Sequence, residues 1–226
     1  MIYSISVIIP AFNDEISLPS LISETNKVLI DISSSYEILV VNDASIDQTS
    51  LVLEKMKFGK LRFWSHSKNK GHGKTLKELY LKASKQLIFS LPGNGQIRPQ
   101  EIFKLLPHIG EFDMVIGVRK LRHVPLRRKI QSKVYNFLIK VLYDLELSDV
   151  NSIRLLKKSK LDKIRLLAKT SFVDAELCYK FSKKGFGIAE VPITHLPGES
   201  RGGGSLRTIL PTFIETIVFW LNLRSR

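Results

Sequence analysis

Four polar clusters, AFND, NDASID, NKGHGK and PGNGQ, each follow an apolar run in the first part of the chain and carry groups able to engage a ligand. In NKGHGKT, Gly71 and Gly73 let the backbone approach a bound group, and Lys70 and Lys74 offer cationic donors where a helix is expected to begin. Backbone N–H groups at a helix start favour phosphate, although the same residues also make an ordinary helix-starting turn. The glycines lie too close to Lys74-Thr75 for the P-loop of an ATPase. Asp43 offers an acceptor-only carboxylate and could equally cap the turn before Ser45. In LPGNGQ the run Leu87-Ile88-Phe89 ends at Pro92, Gly93 and Gly95, and the turn holds neither carboxylate nor lysine, only the amide of Asn94.

Further along, Asp149 and Arg154 occur in DVNSIRLL, Asp174 and Glu176 in VDAEL, and Arg201 in SRGGGS. Guanidinium forks hold phosphate or form salt bridges, Asp149 could cap the next element, and Glu176 has Lys180 one helical turn away. His66, His72 and His195 are too scattered to argue a metal site and receive no catalytic role. The single cysteine, Cys178, excludes an intrachain disulfide and a thiolate zinc cluster and suits a reducing compartment.

The elements that must position these groups alternate. ISVIIPAF, YEILVVND, LRFWSH and QLIFSL read as strands, separated by helices over Ile16–Ile32, Gln48–Met56 and Gly73–Ala83. Such alternation predicts a mainly parallel sheet with helices on both faces, and gathers the polar clusters at the carboxyl ends of the strands. A strand over Asp113–Val118 follows, then a helix whose apolar residues are Ile130, Val134, Phe137, Leu138, Val141, Leu142 and Leu145. That helix either packs on its own domain or lies on an acidic interface through Arg127, Arg128, Lys129, Lys133 and Lys140. A helix over Asp174–Lys183, a strand near Gly187–Pro192 and a glycine-rich loop at Gly198–Gly204 complete the body. Leu206–Leu223 is apolar but contains Pro211 and Glu215, and only 16 residues separate Arg207 from Arg224. A bilayer span wants about 20, so the segment reads as a surface helix.

The net charge of +14 is concentrated: residues 119–169 hold 15 Lys or Arg against 4 Asp or Glu. A block this biased predicts an anionic partner, lipid or phosphate rather than nucleic acid, because no base-stacking pattern or finger spacing accompanies it. The first apolar run is short, β-branched and lacks a basic flank, so it reads as a strand and the chain as cytoplasmic.

Taken in order, VIIPAFND, EILVVNDASIDQT, NKGHGKTL, LPGNGQIRPQEI, VIGVRK, DVNSIRLL, FVDAELCYKFSKKGFGIAEVPI and SRGGGSL resemble the signature segments of family 2 glycosyltransferases. The chain looks most similar to the branch of dolichyl-phosphate mannosyltransferases and bacterial polyprenyl-phosphate sugar transferases, from residue 4 to about 206. The resemblance implies an α/β GT-A fold over residues 1–205, with a nucleotide-sugar half (1–118), an acceptor half (119–205) and an appended helix (206–226). It implies transfer of a sugar from a nucleotide-diphospho-sugar to a polyprenyl phosphate or other cell-envelope glycan acceptor, by a protein peripheral on the inner face of the membrane. Homo-oligomerisation stays open.

Carried over by position, Pro10, Ala11, Asn13, Asp43, Lys70, Lys74, Gly93, Gln96 and Arg119 would bind the donor. Arg154, Glu176 and Arg201 would meet phosphate or acceptor. Asp149 and Asp174 would act as general base toward a hydroxyl, or orient a lipid phosphate, which needs no base. PGNGQ stands where the family usually carries Asp-X-Asp holding Mg²⁺ or Mn²⁺, so Asn94 is the remaining metal candidate, an amide being a weaker ligand than a carboxylate. Three outcomes stay open: a weakly held metal, cations such as Arg119, Lys70 and Arg201 in its place, or a non-catalytic nucleotide-sugar-binding or partner-binding subunit. DVNSIRLL also departs from the family's usual Ser-Gly-Phe-Arg, retaining Ser152 and Arg154.

Overall fold

The computed structural model describes residues 3–56, 58–120, 125–197 and 206–225. Seven strands form one sheet in the order β3-β2-β1-β4-β6-β5-β7, with ranges β1 Ile5–Ala11, β2 Tyr36–Asn42, β3 Leu61–Ser65, β4 Leu87–Ser90, β5 Met114–Arg119, β6 Arg154–Lys157 and β7 Ile188–Ile193. The β3-β2-β1-β4 block is parallel, β6 runs antiparallel to both neighbours, and β5 and β7 pair in parallel. Mixed α/β architecture with a mostly parallel sheet is therefore what the alternating sequence predicts.

The parallel strands are covered on both faces, so alternate residues enter two cores. Ile8, Leu39 and Val41 join one cluster, while Val7, Ile9, Ile38 and Val40 join the other, all of them 0% exposed. Helices α1 (Leu18–Ile32), α2 (Thr49–Lys55) and α4 (Ile102–Leu105) cover the second core. The first is closed by α3 (His72–Lys82), α5 (Leu126–Tyr143) and α7 (Val173–Lys183), with α8 (Leu206–Arg224) packed outside them through Phe213, Phe219 and Trp220. The short α6 (Lys158–Leu161) follows β6 directly.

Three expectations are corrected. The strand β6 was not anticipated: it is four residues long and opens on an arginine, which hides the apolar run that would mark a buried strand. Helix α1 starts at Leu18 rather than Ile16, because Pro19 belongs in a first turn and Ile16, 73% exposed, adds nothing to the core. On α5 the inward face is Tyr135, Ile139 and Tyr143, whereas Ile130, Val134, Phe137 and Val141 of the expected stripe are each more than half exposed.

The helix α8 is tied down by specific bonds. Its Glu215 accepts the N–H groups of Lys169 and Thr170 at 2.9 Å each, and the Tyr143 hydroxyl donates to the carbonyl of Thr216. Tyr143 sits among the rings of Phe172, Tyr179 and Phe219. Among the described residues, no helix is long and apolar enough to cross a membrane.

Candidate active site at the carboxyl edge of the sheet

The register aligns the ends of β1 and β2, pairing Ala11 with Asn42, and the N–H of Asp43 extends this pairing to the Ala11 carbonyl. Pairing of β1 with β4 stops at Ile8 and Ser90, so Pro10, which cannot donate, falls beyond it. Asn13 adopts a positive φ of 57°. Its N–H donates to Ser45 Oγ and its amide oxygen accepts from the Ile46 N–H, both at 2.9 Å, which binds the β1 loop to the β2 loop.

Asp43, only 4% exposed, is the hub of this edge. Its carboxylate accepts the N–H groups of Lys70 and Gly71, both at 2.8 Å, and contacts His66 Nδ1 at 2.7 Å. The anion sought at the start of α3 is thus partly supplied by the chain itself, and Asp43 shapes the NKGHGK loop before any ligand arrives. His66 reaches Glu78 with its other nitrogen at 2.9 Å, and Trp64 Nε1 donates to the same carboxylate at 2.6 Å. Burial opposes the charge of Glu78, but the bonds from His66 and Trp64 outweigh it and hold its carboxyl below the ordinary range. Lys70 and Lys74 remain exposed at the loop, Lys70 lying 3.5 Å from Glu78.

The PGNGQ turn faces β1. A side chain at Gly93 would put its Cβ 2.6 Å from Asp14 Oδ2 and 3.1 Å from the Pro10 carbonyl, so any larger residue would have to push the Asp14 carboxylate aside. Ser17 Oγ also donates to the Gly93 carbonyl at 2.8 Å. A turn without an acid of its own therefore abuts the carboxylate of Asp14, a residue that sequence reasoning passed over although AFND was in view. Asn94 donates to Gln96 Oε1 at 2.8 Å and accepts the Gln96 N–H at 3.1 Å, while the Gln96 carbonyl receives the N–H of Leu196 at 2.8 Å. Asn94 can offer a divalent ion at most one neutral oxygen, already engaged, and among the described residues no three His, Cys, Asp or Glu side chains converge. The protein groups of this turn do not build a site for Mg²⁺ or Mn²⁺.

On the acceptor side the expected residues pair with one another. Arg119 grips Asp149 with a two-pronged contact, Nε to Oδ2 and Nη2 to Oδ1, each 2.7 Å. Arg154 is 1% exposed; its fork donates to the carbonyls of Val150 at 2.8 Å and Ser152 at 3.0 Å and lies 2.8 Å from Asp174 Oδ1. Burial disfavours its charge, yet Asp174 beside it more than compensates and the guanidinium is held above its usual pKa. Arg154 therefore positions Asp174 and is enclosed away from solvent. Glu176, fully buried, accepts the N–H groups of Leu167 and Ala168, both at 2.8 Å, and pairs with Lys180. The expectation for Arg201 lies outside the described residues. Buried Cys178, pushed up to about 11 by burial, is no nucleophile.

What sequence reading missed is His72. As the first residue of α3 its side chain is 46% exposed, and Nε2 stands 3.6 Å from Asp174 Oδ2. Gly73 makes this approach feasible: a Cβ there would lie 1.9 Å from the Thr170 carbonyl oxygen, so the backbones of α3 and of the segment entering α7 touch. No signal at the sequence level joins His72 to Asp174.

Residues 6–165 match the family described as glycosyl transferase family 2. The chain belongs to glycosyl transferase family 2. An undecaprenyl-phosphate 4-deoxy-4-formamido-L-arabinose transferase of Salmonella choleraesuis is 33% identical over 145 residues, covering 61% of this chain and 43% of the relative. An uncharacterized protein of Methanocaldococcus jannaschii is 32% identical over 148 residues, covering 61% and 60%. The chain thus matches only about half the length of these curated relatives. Among solved structures, glucosyl-3-phosphoglycerate synthase from Mycobacterium tuberculosis, in complex with Mn²⁺, uridine-diphosphate and phosphoglyceric acid, superposes with TM-score 0.74 at 17% identity over 96% of this chain and 78% of that one. Mannosyl-3-phosphoglycerate synthase from Rubrobacter xylanophilus gives 0.72 at 16% identity over 99% and 75%. These likenesses establish the GT-A fold of this family 2 member.

Proposed function

We propose that this family 2 protein transfers a sugar from a nucleotide-diphospho-sugar to a phosphate-bearing acceptor, a polyprenyl phosphate in the first instance. The observation that carries the reading is the ring of polar loops at the carboxyl edge, where Asp43 joins the loops after β2 and β3 and Ser17 binds the turn after β4, in a chain that belongs to the family. In this reading residues 1–118 hold the donor, with Pro10, Ala11 and Asn13 beside the base or ribose and the exposed Lys70 and Lys74 compensating the leaving diphosphate. Residues 119–205 take the acceptor, where Asp149 and Asp174, each already paired with an arginine, orient rather than deprotonate it. The polyprenyl-phosphate choice follows the name of the Salmonella relative.

The test is thermal stabilisation by UDP, GDP, CMP and dTDP, each with Mn²⁺, Mg²⁺ or EDTA, since a ligand of the folded state must raise Tm. One diphosphate is expected to stabilise the protein, and to do so in EDTA, because the PGNGQ turn contributes no charged ligand. Asp43→Asn, which keeps one acceptor oxygen, is expected to lose about 1–3 kcal/mol of stability and the nucleotide response together. Unchanged nucleotide affinity in that variant would remove Asp43 from the donor site. Silence toward every nucleotide would instead favour a partner-binding subunit, a reading supported by the engagement of Asn94 with Gln96.

The outer faces of α5 and α8 support a seat on an anionic bilayer, on its cytoplasmic side. Ile130, Val134, Phe137 and Val141 recur on one exposed face of α5, and Leu210, Ile214, Ile217, Val218 and Leu221 are exposed on α8. Arg127, Lys129, Lys133 and Lys140 are exposed along α5. Apolar side chains flanked by cations suit an interface of acidic headgroups. Cosedimentation with phosphatidylglycerol vesicles is expected, to weaken in high salt, and to fall at least fivefold in Val134→Glu/Phe137→Glu, the substitutions placing charge at the acyl boundary. Equal binding to neutral vesicles would refute the electrostatic part.

A further inference from the structure

We propose that His72 donates the hydrogen bond that holds the acceptor's phosphate, a phosphate monoester, with Asp174 positioning the imidazole; this rests on the transferase reading above. Of the two arginines expected to meet phosphate or acceptor, Arg201 lies outside the described residues and Arg154 is buried with its fork on two carbonyls and Asp174; Arg119, expected at the donor, is closed on Asp149. His72 differs from both: its side chain is 46% exposed, and among the described residues no hydrogen bond uses either ring nitrogen. The contrast with His66, whose two nitrogens are fixed by Asp43 and Glu78, is direct.

At 3.6 Å from Asp174 Oδ2, Nε2 lies beyond hydrogen-bond distance, which leaves a ring N–H available to a third partner. The ring projects from the start of α3, where the helix dipole favours a bound anion and not a charged imidazole. The Gly73–Thr170 contact fixes it against α7. Lys70 and Lys74 lie beside it on the chain, and Arg154 of β6 stands behind Asp174. Acceptor affinity therefore depends on the hydrogen-bond donor at position 72.

Two readouts on the full chain test this. In transfer assays at one pH, acceptor KM is expected to rise about tenfold in His72→Ala, the size of one charge-assisted hydrogen bond, with kcat within about twofold. His72→Arg, which restores a donor, is expected to keep the low KM. A fall in kcat at unchanged KM would overturn the proposal by making His72 a proton-transfer group. Independently of turnover, the imidazole resonances of His72, identified by their loss in His72→Ala, are expected to shift saturably with geranyl phosphate. No shift with geranyl phosphate, 3-phosphoglycerate or inorganic phosphate overturns it. Equal response to all three supports recognition of the phosphate alone, and a tighter response to geranyl phosphate supports a lipid acceptor. Resonance shifts without any transfer would leave the phosphate site standing and defeat the transferase reading.

Discussion

Replacing Arg154 with alanine is expected to destabilise the protein by about 3–5 kcal/mol, the range for removing one partner of a buried ion pair. The guanidinium is 1% exposed and its Nη2 alone serves two carbonyls and approaches Asp174, whose side chain is 7% exposed. Alanine would leave a carboxylate in the core without its counter-charge, two carbonyls without a donor, and a cavity where β6 opens. Cys178 and Tyr80 nearby cannot replace the charge, since a thiol and a phenol have no cationic form, and burial raises the pKa of both and keeps them neutral. For a chain of this size such a loss lowers Tm by roughly 10 °C. The control is Arg154→Met combined with Asp174→Leu, which removes both charges. Denaturant unfolding should find the double variant more stable than Arg154→Ala. If both unfold at the same denaturant concentration, the uncompensated charge is not what matters and the cavity alone explains the loss.

Gly73→Ala is expected to be the second large effect, and its sign is the informative part. Within a helix, alanine is ordinarily better than glycine by about 1 kcal/mol. Here the added methyl would stand 1.9 Å from the Thr170 carbonyl oxygen and 2.4 Å from its carbon, backbone against backbone, with no flexible side chain to move aside. The α3 start and the entry to α7 must separate. Overpacking of this kind costs about 1–3 kcal/mol and occasionally more, so a net loss near 2 kcal/mol and a Tm lower by roughly 4–8 °C follow. The same displacement moves His72 away from Asp174. Acceptor KM should therefore rise in Gly73→Ala even at temperatures where the variant is fully folded. A stabilised variant with unchanged KM would mean that the two helices are free to part without consequence.

Much of the architecture was legible because it is written in local pattern. The β-branched runs of β1 and β2, the intervening helical stretches and the glycines at strand ends fix a parallel α/β sheet and gather the loops on one edge, since strand ends and turn residues are properties of neighbours in sequence. The register of ordered motifs likewise located the family. Where pattern was short or double, reading failed. RLLK is too brief to show a period and begins with a charge. Helix α5 carries two apolar stripes, and periodicity cannot tell which one faces the sheet; the aromatic stripe does, because Tyr143 finds Phe172, Tyr179 and Phe219 there.

For the candidate site, the sequence by itself determined which residue types stand at the carboxyl edge: Asp43, the NKGHGK loop, the amide turn around Asn94, and the acids and arginines of the acceptor side. Only the tertiary structure decided what each one faces. Asp43 turns to the amides of Lys70 and Gly71, Arg154 and Arg119 turn to Asp174 and Asp149, and His72, set aside by its isolation in sequence, stands open toward solvent beside Asp174. The physical reason is that a hydrogen bond or ion pair depends on distance in space, and buried charges must find partners wherever the packed elements bring them. Composition and spacing can show that such charges exist but not which of them the folded chain neutralises among themselves.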